Sequence, residues 1–143
     1  MHSVVRHQGC EYQVEGIVTF HLPARSLTLV CLAGVTGTRW LEPPPDELHD
    51  RVLLLHDISG LDISTPPPTN VCFQGLPYLP VLAGPAQAAV EGRAPGRTSG
   101  PCELWRYRAA GDLYLHMERW PSGEFVLAGA SIHRSMLEIA PGK

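Results

Sequence analysis

Between residues 10 and 22, CEYQVEGIVTFHL, apolar and polar positions alternate. Cys10, Tyr12, Val14, Gly16, Val18, Phe20 and Leu22 fall on one side, and Glu11, Gln13, Glu15, Ile17, Thr19 and His21 on the other. Alternation of this length predicts a β-strand with one buried face. SLTLVCLAGV at 26–35 follows Pro23 and is short enough to be its hairpin partner. The C-terminal third reads as a meander: CELWRYR (102–108), LYLHMERW (113–120) and EFVLAGASI (124–132) are separated by AAGD and PSG, which carry turn chemistry. SMLEI adds a last short strand.

Two central regions interrupt the pattern. Residues 46–58 fit a helix, with Leu48, Val52 and Leu55 on one face behind Pro43–Pro45, and equally fit buried strands through RVLLLHDI. STPPPTN at 64–70 reads as an extended connector. Residues 76–101 are so rich in Pro, Gly and Ala that they predict a long loop, with room for one short helix at 85–91. The expectation is one all-β, mainly antiparallel domain over 1–143, a β-sandwich or small β-barrel of about seven to nine strands.

Composition narrows the chemistry. Hydrophobic residues make up 44% and charged residues 17%, the balance of a folded domain. The eleven basic residues include one lysine, Lys143, so no internal lysine is available for Schiff-base chemistry. The net charge of −3 comes without a basic stripe, which argues against nucleic acid as a partner. No run approaches the ~18 apolar residues of a membrane span. Cys10, Cys31, Cys72 and Cys102 show no CxxC spacing, and four free thiols suit a cytoplasmic protein.

Motifs with catalytic or metal chemistry fail on geometry. His49-Asp50 and His56-Asp57 repeat at an interval of seven. On a helix the two histidines would stand ~10 Å apart, and on a strand they would face opposite ways, too far apart for one metal in either case. His7 and Cys10 lack a second ligand pair. Ser131 and His133 would point the same way along a strand at about 6 to 7 Å, beyond hydroxyl-to-imidazole contact. No phosphate loop, nucleophile elbow or dinucleotide fingerprint occurs. We expect neither a metal nor a cofactor.

The meander supplies the candidate site. With Ala110-Gly111 as a two-residue turn, Tyr107 faces Tyr114, Trp105 faces His116 and Glu103 faces Glu118. With PSG as a three-residue turn, His116 faces Ala128 and Tyr114 faces Ala130. One face would then carry Trp105, Tyr107, Tyr114, His116 and Trp120, with Glu103 and Glu118 at its rim. The other would carry Leu104, Leu113, Leu115, Met117, Phe125 and Leu127 as core, interrupted by Arg106 and Arg119, whose stems would have to extend to an edge.

Amphipathic rings beside small residues suit an interface or ligand cavity. The leading expectation is a non-enzymatic binding or protein-interaction domain, self-associating or engaging a partner through this aromatic face or an exposed strand edge. The alternative is a small barrel enzyme or carrier for an apolar small molecule, with His116 and Glu118 as acid and base.

Overall fold

The alternating segment at 10–22 forms a long strand, β2 (Cys10–His21), and most of the other described residues are also in strands. The computed structural model describes residues 3–44, 49–58 and 69–140. In chain order its other strands are β1 (Val4–His7), β3 (Ser26–Gly34), β4 (Gly37–Glu42), β5 (Arg51–Asp57), β6 (Val71–Phe73), β7 (Leu76–Gly92), β8 (Gly100–Ala109), β9 (Leu113–Trp120), β10 (Gly123–His133) and β11 (Leu137–Ala140). A 3-10 turn, Arg134–Met136, precedes β11.

Two four-stranded meanders, β2–β5 and β7–β10, are joined by pairing of β5 with β10 and of β2 with β7. The result is a closed, antiparallel, eight-stranded β-barrel, with β1, β11 and β6 added to its wall. The interior holds Phe20, Leu29, Trp40, Leu55, Leu104 and Trp120. Two smaller apolar clusters lie outside the wall, around Tyr12 and Leu32 and around Tyr107 and Met117.

A bulge between Val14 and Gly16 divides the face expected for β2. Before it, Tyr12 and Val14 join an outer cluster; after it, Val18 and Phe20 point into the barrel. An extra residue in one strand produces this exchange of faces. Gly16 is required at the crossing, because a Cβ there would run into the backbone of Arg93, whose N–H donates to the Glu15 carbonyl.

The long loop expected at 76–101 is instead largely β7, the longest strand, and residues 85–91 are extended rather than helical. Leu82, Gly84, Ala86, Ala88 and Val90 alternate toward the interior, small enough to fit under the large rings opposite. Pro80 and Pro85 lie where β7 pairs with β8 but has neither β2 nor β6 on its other side. Proline is tolerated there because no ladder bond is asked of its nitrogen. Across 49–58 the helix alternative is also set aside, since Arg51–Asp57 is a strand; residues 45–48, including Leu48, and 64–68 of the proline-rich connector lie outside the described residues.

Both meander turns differ by one residue from expectation. Ala109 pairs with Leu113, so Ala110, Gly111 and Asp112 form a three-residue connection, with Gly111 and Asp112 at positive φ. Trp120 pairs with Gly123, leaving Pro121-Ser122 as a two-residue turn. A shift of one residue moves every side chain to the opposite face of its neighbour. Arg106 therefore faces His116, Leu104 faces Glu118 and Glu103 faces Arg119.

Candidate functional site

Strand β9 turns Tyr114, His116, Glu118 and Trp120 into the barrel, and β8 turns Leu104 and Arg106 in beside them. His116 and Glu118 are completely buried. Charged groups survive such a setting only when each is paired and hydrogen-bonded.

Glu118 meets that condition with two donors on each oxygen. Oε1 accepts from Arg97 Nε at 3.0 Å and from Trp120 Nε1 at 2.7 Å. Oε2 accepts from His116 Nε2 at 3.0 Å and from an Arg97 terminal nitrogen at 3.4 Å. Burial alone would raise this carboxyl, but the His116 hydrogen bond and the charge and hydrogen bonds of Arg97 outweigh it and hold the group below the usual carboxylate range. Glu118 is an anion.

Arg97 comes from the connection between β7 and β8. Its N–H donates to the Ala94 carbonyl and its guanidinium to the Pro95 carbonyl, so the segment turns back on itself and puts the side chain into the barrel end. The guanidinium lies between Trp40 and Phe125, 4.2 and 3.9 Å from the ring centroids. Cation–π attraction on both faces adds to the ion pair in holding it.

From Glu118 the chain of contacts continues along the barrel. An Arg106 terminal nitrogen donates to His116 Nδ1 at 3.2 Å, so the proton of the imidazole sits on Nε2 and points at Glu118. Burial lowers the His116 pKa, the hydrogen bond to Glu118 opposes that, and the charge of Arg106 reinforces it. Arg106 then donates from its other terminal nitrogen to both oxygens of Glu42, at 2.8 and 2.9 Å. The axial order is Arg97, Glu118, His116, Arg106, Glu42, with two cations, two anions and a neutral imidazole.

The last two members reach an open end. A cavity of about 200 Å³ there is lined by Arg25, Glu42, Arg51 and Arg106, with Tyr114 and Ser131 beside them and Val52, Leu53, Val81 and Leu82 as its apolar part. Arg51 donates to Ser131 Oγ at 3.1 Å and to its carbonyl, and contacts Asp112 at 3.4 Å. A neighbouring concavity of about 310 Å³ shares Arg25, Glu42, Pro43 and Pro44. Residues 2–134 match a family model described as a domain of unknown function, DUF4178. The chain belongs to that family. No curated protein and no solved structure matches it.

In this DUF4178 domain the expected aromatic face is split. Tyr114, His116 and Trp120 are inside the barrel, whereas Trp105 and Tyr107 pack outside it with Leu115, Met117, Val126 and Ala128. Glu118 is not at a rim, and Glu103 is exposed opposite Arg119, whose guanidinium lies 5.0 Å from the Trp105 ring centroid. Sequence reasoning missed Arg97, Glu42, Arg25 and Arg51, and assigned Arg106 an extended route to an edge. The available signal was Arg106 itself, an arginine on the sheet face expected to be aliphatic core.

The other motifs resolve separately. His7 and Cys10 flank a two-residue turn, and no group of three metal-ligating side chains forms among the described residues. Asp50 accepts from His133 Nε2 at 3.1 Å, and the second ring nitrogen of His133 contacts Ser135 Oγ rather than Ser131. Among the described residues no helix is long and apolar enough to cross a membrane.

Proposed function

We propose that this domain is a non-enzymatic binding module whose ligand is a small molecule seated at the open end of the barrel. The observation that carries the reading is the contrast between the two ends of the axial chain. His116 and Glu118, the acid–base pair of the enzymatic alternative, are sealed, and both imidazole nitrogens and both carboxylate oxygens are engaged within the barrel. A proton-transfer group must reach its substrate directly or through one water. The cavity, by contrast, joins an apolar wall to guanidinium, hydroxyl and carboxylate groups, the combination by which ligand sites fix orientation.

Arg106 is held from two sides, by Glu42 and His116, before any ligand arrives. Such preorganisation reduces the ordering that binding must otherwise impose. The volume lies below the ~300–1,000 Å³ of drug-sized sites, which suits a short ligand.

The test is native mass spectrometry of the folded protein after incubation with a small-molecule extract, repeated on Val81→Trp. Val81 is half exposed and lines the cavity, so the indole fills the site without entering the core. The expected result is a retained small molecule on the parent protein and none on the variant. Retention by both, or turnover that disappears in His116→Gln while the fold persists, would overturn the proposal.

A further inference from the structure

We infer that the ligand is a small organic anion, with its charged head at Arg25 and a short apolar tail against Leu82 and Val81. This rests on the open-end binding reading and adds the chemical class. The warrant is the charge balance around the cavity. Among the described residues, three guanidinium groups line it, those of Arg25, Arg51 and Arg106, against one lining carboxylate, Glu42. Glu42 is engaged by Arg106 at 2.8 Å. Arg51 reaches Asp112 at 3.4 Å, but Asp112 is also held by Arg108 at 2.7 Å, so the aspartate neutralises Arg51 incompletely. Arg25 has no side-chain partner among the described residues, and it borders both concavities at this end.

The excess of positive charge sits beside low-dielectric walls, where an anion gains more than it would in bulk water. Arg106 adds a second indication: its side chain is about 95% buried and its Nε has no hydrogen-bond partner, so this cation is not fully used by the groups around it. Glu42 shows which head group such donors accept, since its carboxylate already occupies one of them. A cationic or neutral ligand would leave the excess uncompensated.

The probes are hexanoate, hexyl phosphate and hexanamide, titrated by isothermal calorimetry and by the ring signals of Tyr114 at pH 8 and low salt. The expected result is binding of hexanoate at least about tenfold tighter than hexanamide; hexyl phosphate as the tighter anion would assign the head group to phosphate and keep the class. Equal binding of hexanamide would overturn the anion inference while leaving the open-end site standing. Absence of binding by all three, together with no retained molecule in the mass-spectrometric test, would remove both.

Arg25→Glu supplies the second readout. Arg25 is exposed, so the variant keeps the fold, and reversing its sign should lower hexanoate affinity at least tenfold and favour hexylammonium instead. Unchanged hexanoate affinity in Arg25→Glu would overturn the placement of the head group.

Discussion

Replacing Glu118 by glutamine changes almost no volume and tests whether the axial chain is held by charge. The carboxylate receives four hydrogen bonds, two on each oxygen, from donors that cannot become acceptors: Arg97, Trp120, and a His116 whose proton is fixed on Nε2 because Nδ1 accepts from Arg106. A glutamine amide has one oxygen. Either of its orientations sets its NH₂ against two donors, each conflict costing about 1–3 kcal/mol. Arg97, with a side chain 2% exposed, also loses its counter-ion, and breaking a buried pair in this way costs about 3–5 kcal/mol.

The two terms overlap, and the rings of Trp40 and Phe125 still support the guanidinium. We therefore expect a net loss of about 4 kcal/mol, a large part of the ~5–15 kcal/mol of an ordinary domain. In melting temperature this is a fall of about 10–15 °C for a domain of this size. Urea unfolding at pH 7.5, followed by tryptophan fluorescence, measures it. A loss below about 1 kcal/mol would refute the reasoning. The double variant Arg97→Met with Glu118→Gln should recover part of the loss, because it removes the unpaired buried cation and two of the four donors, leaving the amide oxygen one of the remaining pair to accept.

Three further outcomes follow from the same geometry. Acid should destabilise the protein in two stages. His116 and the partly buried His56 have folded pKa values below the usual 6.5, so stability falls as pH drops through 6.5 and the unfolded chain takes up protons first. Glu118, held below the usual carboxylate range, adds a second loss as pH falls below about 4.5; flat stability from pH 7 to pH 5 in urea titrations would contradict the histidine assignments, and no further loss from pH 5 to pH 3 would contradict that of Glu118. The thiols should react in order of exposure: Cys72 labels first with Ellman's reagent at pH 8, whereas Cys31 and Cys102, pushed up to about 11 mainly by burial, label only on unfolding. Equal rates for Cys72 and Cys102 would refute this. Gly96→Ala should cost about 1–3 kcal/mol in thermal unfolding, since Gly96 has φ +78° and a Cβ would meet the Phe125 ring that supports Arg97; a neutral result would show that the loop does not hold that ring in place.

The barrel was legible wherever one residue type repeats on one face. Val18 and Phe20 carry their alternation into the core, and the β8–β10 meander announces itself by three apolar runs and two turns. Strand β7 was not legible, because the features that fit it to its place, small inward residues and prolines along an unpaired side, are also those of a loop. Register failed at Asp112, where positive φ and the ion pair with Arg108 extend the turn by one residue. That single residue separates a face of aromatic rings from the arrangement in which Arg106 meets His116. The axial chain could not be read locally at all: Glu42 and Arg106 are 64 positions apart, and nothing near either names the other.

The two seams also set an order in time. Hairpins within each meander close over short loops, whereas pairing β2 with β7 and β5 with β10 brings together distant segments and bears the larger loop-closure cost. Glu42 and Trp40 belong to the first meander and meet Arg106 and Arg97 only when the halves join. Interactions that form after the rate-limiting step leave the folding rate nearly unchanged and slow unfolding instead. We therefore expect the buried ions to act as a latch that does little to hasten closure of the barrel and lengthens the time it stays closed, so that Glu118→Gln speeds unfolding and leaves the folding rate nearly unchanged in stopped-flow measurements.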